Sequence, residues 1–342
     1  MKAVLFHAHG NPDVLKFEDV PDPQPGRGEV LIEVKATSIN HIDIFLRRGM
    51  PGVKVPLPKI VGCDAAGIIR ELGPGVTGLK AGDRVTINPG ISCGHCEFCA
   101  AGFGSQCTTF AMVGEHIDGA YAQLVRVPAH IVLPIPDSLS FEAAAAAPLV
   151  FLTAWSMMVG KGNIRPGEDV LILGAGAGVG TAAIQIAKMT GCRVIATASS
   201  DEKLEKAKAL GADLLINYKK EEFDKRIRDI TGRRGVDVVV DYIGNDTWVQ
   251  SLRSARKGGR VLTCGATTGF APQTDLRHIF YRQVQVIGST MGSHREFLDV
   301  MKCIFRGQLK PVIDRVLPLS EAARGHELIE ERSVFGKIVL KP

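Results

Sequence analysis

Val170-Leu-Ile-Leu-Gly174-Ala-Gly-Ala-Gly-Val-Gly180-Thr-Ala-Ala-Ile-Gln-Ile-Ala-Lys-Met-Thr190 is the stretch that decides the fold. A short apolar run, Val170 to Leu173, reads as a buried strand, and Thr181 to Thr190 reads as the helix that follows it. Between them, glycines let the backbone approach a pyrophosphate, and the helix N-terminal N–H groups stabilise its charge. This places the backbone of Ala177, Gly178 and Val179 at a dinucleotide's phosphates. The spacing is not the regular G-x-G-x-x-G, because those places fall on Ala175, Ala177 and Gly180 and the extra glycines are Gly174, Gly176 and Gly178. The context makes up for this. Downstream come strand Arg193 to Thr197, helix Glu202 to Leu210 stopped by Gly211, strand Leu214 to Asn217, a charged helix, strand Val236 to Asp241, helix Thr247 to Ala255 and strand Arg260 to Cys264. Such alternation predicts a doubly wound parallel sheet, with Val284 to Gly288 as its sixth strand.

Upstream the texture differs. From Met1 to about Val132, β-rich runs (Lys2 to Phe6, Glu29 to Ala36, Ala66 to Leu72, Asp83 to Ile87, Ala122 to Val127) are separated by turns such as Pro21 to Gly28 and Gly73 to Gly78. This half is expected to be barrel-like. An alanine-rich helix, Phe141 to Ala147, opens the second domain on this reading, and helix Arg295 to Phe305 with strand Gly336 to Leu340 returns to the first.

The length of 342 residues suits two domains, and 45% apolar with 23% charged residues is a globular composition. Lys plus Arg is 41 against 36 for Asp plus Glu, a net +5 with the basic residues scattered, so no nucleic-acid partner is implied. Ala143 to Val159, the longest nearly charge-free stretch, is interrupted by Pro148, Thr153 and Ser156 and is too short to span a bilayer. No membrane partner is expected. Met1 leads directly into Lys2-Ala-Val-Leu-Phe6 without a signal-peptide pattern, so the expected location is cytoplasmic.

In that compartment the eight cysteines stay reduced. Cys93, Cys96, Cys99 and Cys107 follow C-x2-C-x2-C-x7-C, interleaved with Gly94, Gly102 and Gly104. Short Cys-x-x-Cys steps let thiolates point at one centre, and four sulfurs close a tetrahedral shell. One structural zinc per chain is expected there, with an iron–sulfur cluster or unliganded thiols as the alternatives. Cys63, Cys192, Cys264 and Cys303 are scattered and resemble small core residues.

The cofactor is chosen near the end of the second strand of the sheet, where NAD enzymes place a carboxylate for the ribose 2′-OH. Here the chain reads Ala196-Thr-Ala-Ser-Ser200. Hydroxyls, Ser199 among them, with Lys203 one turn later suit a 2′-phosphate, so NADPH is expected. Asp201 keeps NADH open, and Ser199 has a competing reading as the cap of the following helix.

Gly62-Cys-Asp-Ala-Ala-Gly67, the four-cysteine lobe and the Gly174 to Gly180 turn together resemble the medium-chain dehydrogenase/reductase superfamily over nearly the whole chain. Ser38-Ile-Asn-His-Ile-Asp43, Phe151-Leu-Thr-Ala-Trp155, Ile216-Asn-Tyr218 and Asp241-Tyr-Ile-Gly-Asn-Asp-Thr-Trp248 are similar to its quinone oxidoreductase branch, and the cysteine lobe to its alcohol dehydrogenase branch. The resemblance implies a GroES-like catalytic domain over 1–133 with its zinc lobe at 93–107, a Rossmann NAD(P)-binding domain over 134–291, and a return to the first domain over 292–342. It also implies roles. Asn40 would contact nicotinamide or substrate and Thr153 the carboxamide; Lys203 and Tyr218 would meet the 2′-phosphate, Lys337 the pyrophosphate, and Gly265 would complete the cofactor contacts. Structural roles compete: a turn cap for Asn40, a helix-interior hydroxyl for Thr153, a strand-end aromatic for Tyr218.

Zinc alcohol dehydrogenases hold a catalytic zinc with a Cys, a His and a second Cys. By the resemblance those places read Asn40, Cys63 and Phe151 here, so one of three ligands remains, although a makeshift shell from Cys63, Asp64 and His41 is conceivable. The function implied is NADPH-dependent hydride transfer to a quinone or an α,β-unsaturated carbonyl without a catalytic metal. Its alternatives are a zinc-containing alcohol dehydrogenase acting on a small carbonyl–alcohol pair, and a nucleotide-binding protein without turnover. His41 and Asp43 are the proton-donor candidates, and Phe45 stands where that branch often has a Tyr. The apolar Val284 to Gly288 run, as an edge strand, implies a homodimer or homotetramer.

Overall fold

Valine- and isoleucine-rich runs between residues 169 and 263 become largely buried strands, since strands covered by helices on both faces cannot alternate apolar with polar, whereas the edge strand Gln285–Gly288 is mostly exposed. The computed structural model describes Met1–Pro342 and divides into two units. One is Val150–Gly292; the other joins Met1–Leu149 to Ser293–Pro342.

In the first of these, six parallel strands lie in the order Leu214–Asn217, Arg193–Ala198, Asp169–Ile172, Val236–Val240, Ala255–Thr263, Gln285–Gly288. That is the doubly wound order whose chain reversal sits beside the Asp169–Ile172 strand. Leu171, Leu173, Ile195, Val239 and Val261 form its core. The helix after the glycine turn spans Gly178–Thr190, three residues earlier than the sequence suggests, so Gly178, Val179 and Gly180 form its first turn.

The second unit is built on a seven-stranded sheet. Its path runs Val132–Pro134, Arg84–Ile87, Asp64–Leu72, Glu29–Ser38, Lys337–Lys341, Ile313–Pro318, with Leu124–Pro128 also on Glu29–Ser38. The C-terminal strand pairs antiparallel with Glu29–Ser38 and parallel with Ile313–Pro318, which brings the chain's end beside Ser38 and Asn40. A three-stranded sheet, Lys16–Asp19, Lys2–Phe6, Lys59–Ile60, completes it.

The division between units falls after Leu149, not after residue 133, and again after Gly292. The helix Phe141–Ala146, capped by Ser140 accepting from the Ala143 N–H at 3.2 Å, therefore belongs with the first 140 residues. Its alanines let it lie close against Ala36, Ala66 and Val339 of the sheet, a packing that composition alone does not reveal. No helix is long and apolar enough to cross a membrane.

Candidate active site

In the Val150–Gly292 unit the glycine turn is a tightly fitted phosphate cradle. Gly174 has φ +61°, its N–H donates to Thr197 Oγ1 at 3.3 Å, and its carbonyl accepts from Tyr242 Oη at 2.7 Å. At Gly180 a Cβ would lie 2.5 Å from the Gly174 carbonyl oxygen and 2.6 Å from Tyr242 Oη, so only glycine fits. Ala177 is the N-cap residue with no side-chain cap, and the first turn contains no acid. The N–H groups of Gly178, Val179 and Gly180 have no intrahelical acceptor. Free donors, a positive helix end and no competing carboxylate fit a dinucleotide pyrophosphate.

One strand over, Ala198 and Asn217 are paired at the carboxyl ends of their strands, which brings Ser199, Ser200 and Tyr218 to one corner. Tyr218 is half-buried and its N–H donates to the Ala198 carbonyl at 3.2 Å. The helix cap is Ser200, whose hydroxyl accepts from the Lys203 N–H at 3.3 Å, so the competing reading of Ser199 as that cap does not hold. Asp201 accepts from Asn217 Nδ2 at 2.7 Å and from Lys220 Nζ at 2.5 Å. Those bonds, the Lys220 one foremost, hold its carboxyl below the ordinary value. The carboxylate that kept NADH open is thus already engaged.

Thr153 is buried in the helix Pro148–Trp155 and donates to the Met291 thioether at 3.9 Å, not to its own backbone. Gly265 is exposed just beyond the Ala255–Thr263 strand.

In the other unit Asn40 starts the helix His41–Arg48, and Asp43, three residues on, accepts from the Asn40 N–H at 2.8 Å. Asp43 is fully buried and also accepts from the Gly62 N–H at 3.0 Å and from Tyr121 Oη at 3.4 Å. Tyr121 Oη in turn lies 3.1 Å from His326 Nε2. Burial dominates and pushes the Asp43 carboxyl up to about 7, against the opposing pull of its backbone donors and Lys337. His41 reaches the surface at its edge, yet burial of the imidazole, with the Lys337 and Arg332 charges adding to it, lowers its pKa to about 4.

The centre of this network is Lys337, only 4% exposed. Its ammonium donates to the Ile39 carbonyl at 2.6 Å and to Asn40 Oδ1, and lies 3.6 Å from Asp64 Oδ2. Asn40 Nδ2 donates to Asp64 Oδ2 at 2.8 Å and lies 3.6 Å from Cys63 Sγ. Asp64 accepts further from Ser38 Oγ at 2.7 Å and from the Leu149 N–H at 2.9 Å. The Cys63 thiol is driven well above its ordinary value by burial, with the Asp43 and Asp64 charges adding to it. Asn40, Asp43 and Lys337 therefore meet, as residues 40 and 337 could not be seen to do in sequence. The roles of Asp64, Ser38 and Tyr121 were missed, because their signal is burial rather than motif. The hydrogen bonds of Lys337 run to backbone and to Asn40, and phosphate contact at this position would require it to leave them.

In the same unit the thiols of Cys93, Cys96, Cys99 and Cys107 all lie within 4.8 Å of one another. The Cys93 N–H points at Cys107 Sγ and the Cys96 N–H at Cys93 Sγ, both at 3.3 Å. Gly94 and Gly102, at φ +80° and +87°, make the turns that bring the sulfurs together. Convergent sulfurs supported by N–H donors fit a tetrahedral structural zinc.

Comparison with known proteins accounts for both units. The model described as Alcohol dehydrogenase GroES-like domain matches residues 26–137, and that described as Zinc-binding dehydrogenase matches 178–306. The chain belongs to the medium-chain dehydrogenase/reductase superfamily. Within that superfamily it is 35% identical to a protein named alcohol dehydrogenase from Geobacillus stearothermophilus, covering 100% of this chain and 99% of the relative. It is 31% identical to the quinone oxidoreductase of Rattus norvegicus, over 99% of this chain and 97% of that one. A crystal structure of an NAD-dependent alcohol dehydrogenase matches with a TM-score of 0.96 and 47% identity over the whole of both chains. The chain is accordingly an NAD(P)-dependent oxidoreductase.

The catalytic zinc of the superfamily's alcohol dehydrogenases does not fit Asn40, Cys63 and Asp64. Asn40 presents an amide N–H2 to Cys63, Cys63 holds its proton, and both Asp64 oxygens are taken. A makeshift shell from Cys63, Asp64 and His41 does not form either, since the four cysteines are the one cluster whose ligand atoms converge. Lys337 lies 3.6 Å from Asp64 Oδ2 at this place; burial lowers its proton affinity and the Asp64 charge opposes that.

Proposed function

We propose that the protein reduces a quinone or an α,β-unsaturated carbonyl with NADPH, using no catalytic metal. The observation that carries this reading is the Asn40–Asp64–Lys337 network, a fully hydrogen-bonded set of groups where a Lewis acid would need open ligands. Without such an ion an alcohol is not readily ionised, whereas a conjugated acceptor takes hydride at carbon and leaves charge delocalised on oxygen. NADPH supplies the hydride when bound.

What the chain contributes is position. The Gly178, Val179 and Gly180 N–H groups hold the pyrophosphate, and Ser199, Lys203 and Tyr218 hold the 2′-phosphate, with Ser200 fixing the backbone between them. Thr153 and Gly265 serve the nicotinamide end. Lys337 and Asp64 lock the Asn40 amide in one orientation, so that its surroundings are set before substrate arrives. Asp43, buried and bonded by Asn40, Gly62, Tyr121 and the Cys63 thiol, is a positioning residue, and His41, whose pKa is lowered to about 4 by burial and by the Lys337 and Arg332 charges, is neutral near pH 7 and not poised to donate a proton.

The second reading, a zinc alcohol dehydrogenase, is favoured by the names of the relatives. Elemental analysis combined with turnover separates the two. One zinc per chain, with NADPH oxidised by enones and quinones in preference to NADH, supports the proposal. Two zincs per chain, with alcohol-dependent reduction of NAD(P) abolished by a chelator, would overturn it. Absence of turnover with quinones, enals and aldehydes alike would instead indicate a nucleotide-binding protein.

A further inference from the structure

The Val150–Gly292 unit pairs most of its arginines. Arg193, Arg226, Arg234, Arg256, Arg260 and Arg277 each lie within 4.0 Å of a carboxylate. One group departs from this habit. Arg228, Arg233, Arg253 and Arg282 converge with His278 and Gly235 on an open recess of about 180 Å³. The carboxylate that pairs with one of these arginines is the buried Asp224, 4.0 Å from Arg253, and Asp275 acts on His278. Asp275, beside His278 in the chain, is taken by Arg277 at 2.7 Å.

The site is held in shape by backbone. Arg282 donates to the carbonyls of Leu252 at 3.0 Å and Arg253 at 3.2 Å and also to that of Ala255, so its guanidinium is fixed at the C-terminal end of the helix Trp248–Ser254. Burial and the neighbouring Arg228 charge both lower its proton affinity, the mark of cations assembled without their counter-ion. Arg233 is carried on a left-handed backbone, φ +67°, between Gly232 at +56° and Gly235 at +85°. Gly235 and Ser254 immediately precede the strands Val236–Val240 and Ala255–Thr263, whose first residues are paired. The recess thus lies at the amino ends of the parallel strands, whereas the glycine turn lies at their carboxyl ends.

We propose that this recess is a second anion site, distinct from the cofactor's, which binds clustered phosphoryl groups such as those of a diphosphate or a nucleoside polyphosphate. Guanidinium forks match phosphoryl oxygens two at a time, and several guanidiniums with one carboxylate among them leave more positive charge than a single phosphate offsets. The dinucleotide does not fill the site, because its phosphates belong at the glycine turn.

The test titrates inorganic pyrophosphate by calorimetry into protein saturated with NADPH, so that the cofactor's phosphate sites are already filled. Arg228→Gln with Arg233→Gln is the variant of choice: both side chains are exposed, whereas removing Arg253 would strand the buried Asp224. Binding to the holoenzyme is expected, weakened at least tenfold in the double variant. A melting temperature of the double variant close to the parent's shows that the loss is local. Failure of the NADPH-loaded protein to bind pyrophosphate, or binding that survives in the double variant, would overturn the site. Orthophosphate binding as tightly as pyrophosphate would overturn the clustered-phosphoryl assignment.

Discussion

Lys337 donates to two oxygen acceptors and faces the carboxylate of Asp64, with almost no exposure to water, and every group around it depends on that charge. Replacing it by Met leaves the Asp64 carboxylate buried and unpaired. Removing one partner of a buried ion pair costs about 3–5 kcal/mol, so Lys337→Met is expected to lose stability on that scale in urea unfolding, with Lys337→Arg closer to the parent. Equal stability of the Met variant and the parent would show that the pair is not ionised. Asp43 sets a second expectation. Its carboxyl titrates near 3.8 in the unfolded chain and near 7 in the fold. Between those values the native state binds one more proton than the unfolded state, so stability falls as pH rises from about 4 to about 7 and levels off above. The slope is at most about 1.4 kcal/mol per pH unit, and Asp43→Asn lacks it. Unfolding free energies of the two proteins, compared at four pH values across the window, should converge or cross as pH rises; parallel curves would count against a protonated Asp43. Residues 40 and 43 were visible in the sequence as candidate site residues of the Ser38–Asp43 stretch. That Lys337 completes them was not, because the bond spans 297 positions and exists only once the last strand enters the sheet.

At the scale of elements, legibility followed burial. The parallel strands of the dinucleotide-binding unit are mostly short apolar runs, and they were readable to within a residue or two, except that Ala255–Thr263 begins five residues before the expected Arg260. The helix His41–Arg48 and the segments Ile313–Pro318 and Ala322–Glu330 went unread, since they are short or mixed in composition and gain their structure from packing on the sheet. The alanine-rich helix was read correctly but given to the wrong unit, because small residues signal a helix without saying which sheet it covers. The cysteine lobe is the opposite case: its spacing alone named the chemistry. Its helical pieces, Glu97–Ala100 and Gly104–Gln106, are too short to persist without a centre to bind. Cys99→Ser is therefore expected to lower zinc from one per chain toward zero and to reduce the melting temperature by several degrees. Well below that temperature kcat should change less than about threefold, since the lobe is no part of the Asn40–Lys337 network. Loss of turnover in step with zinc, in protein that remains folded by circular dichroism, would mean that the metal acts in the reaction.

For the molecule as a whole, the open question is what meets the end of the six-stranded sheet. Gln285–Gly288 pairs on one side only, with Ala255–Thr263, so its outer N–H and C=O groups are those of an edge. Val286 on this strand is 41% exposed, and Phe270, Leu276, Phe280 and Tyr281 are exposed in the same stretch of chain. An isolated exposed apolar residue needs no explanation, but five in 17 positions leading to an unprotected edge, without a proline or an outward charge on the strand itself, form a surface suited to another copy of itself. A two-fold axis at such an edge pairs the strand with its own symmetry mate and closes the assembly. We therefore expect a homodimer or a homotetramer built on this contact. Val286→Lys places a charge on the edge without touching the core, since the side chain is already exposed. Sedimentation velocity should show the parent as dimer or tetramer and the variant as a smaller species, with unchanged circular dichroism. A parent that sediments as a monomer, or a variant that assembles as the parent does, would move the contact away from this strand.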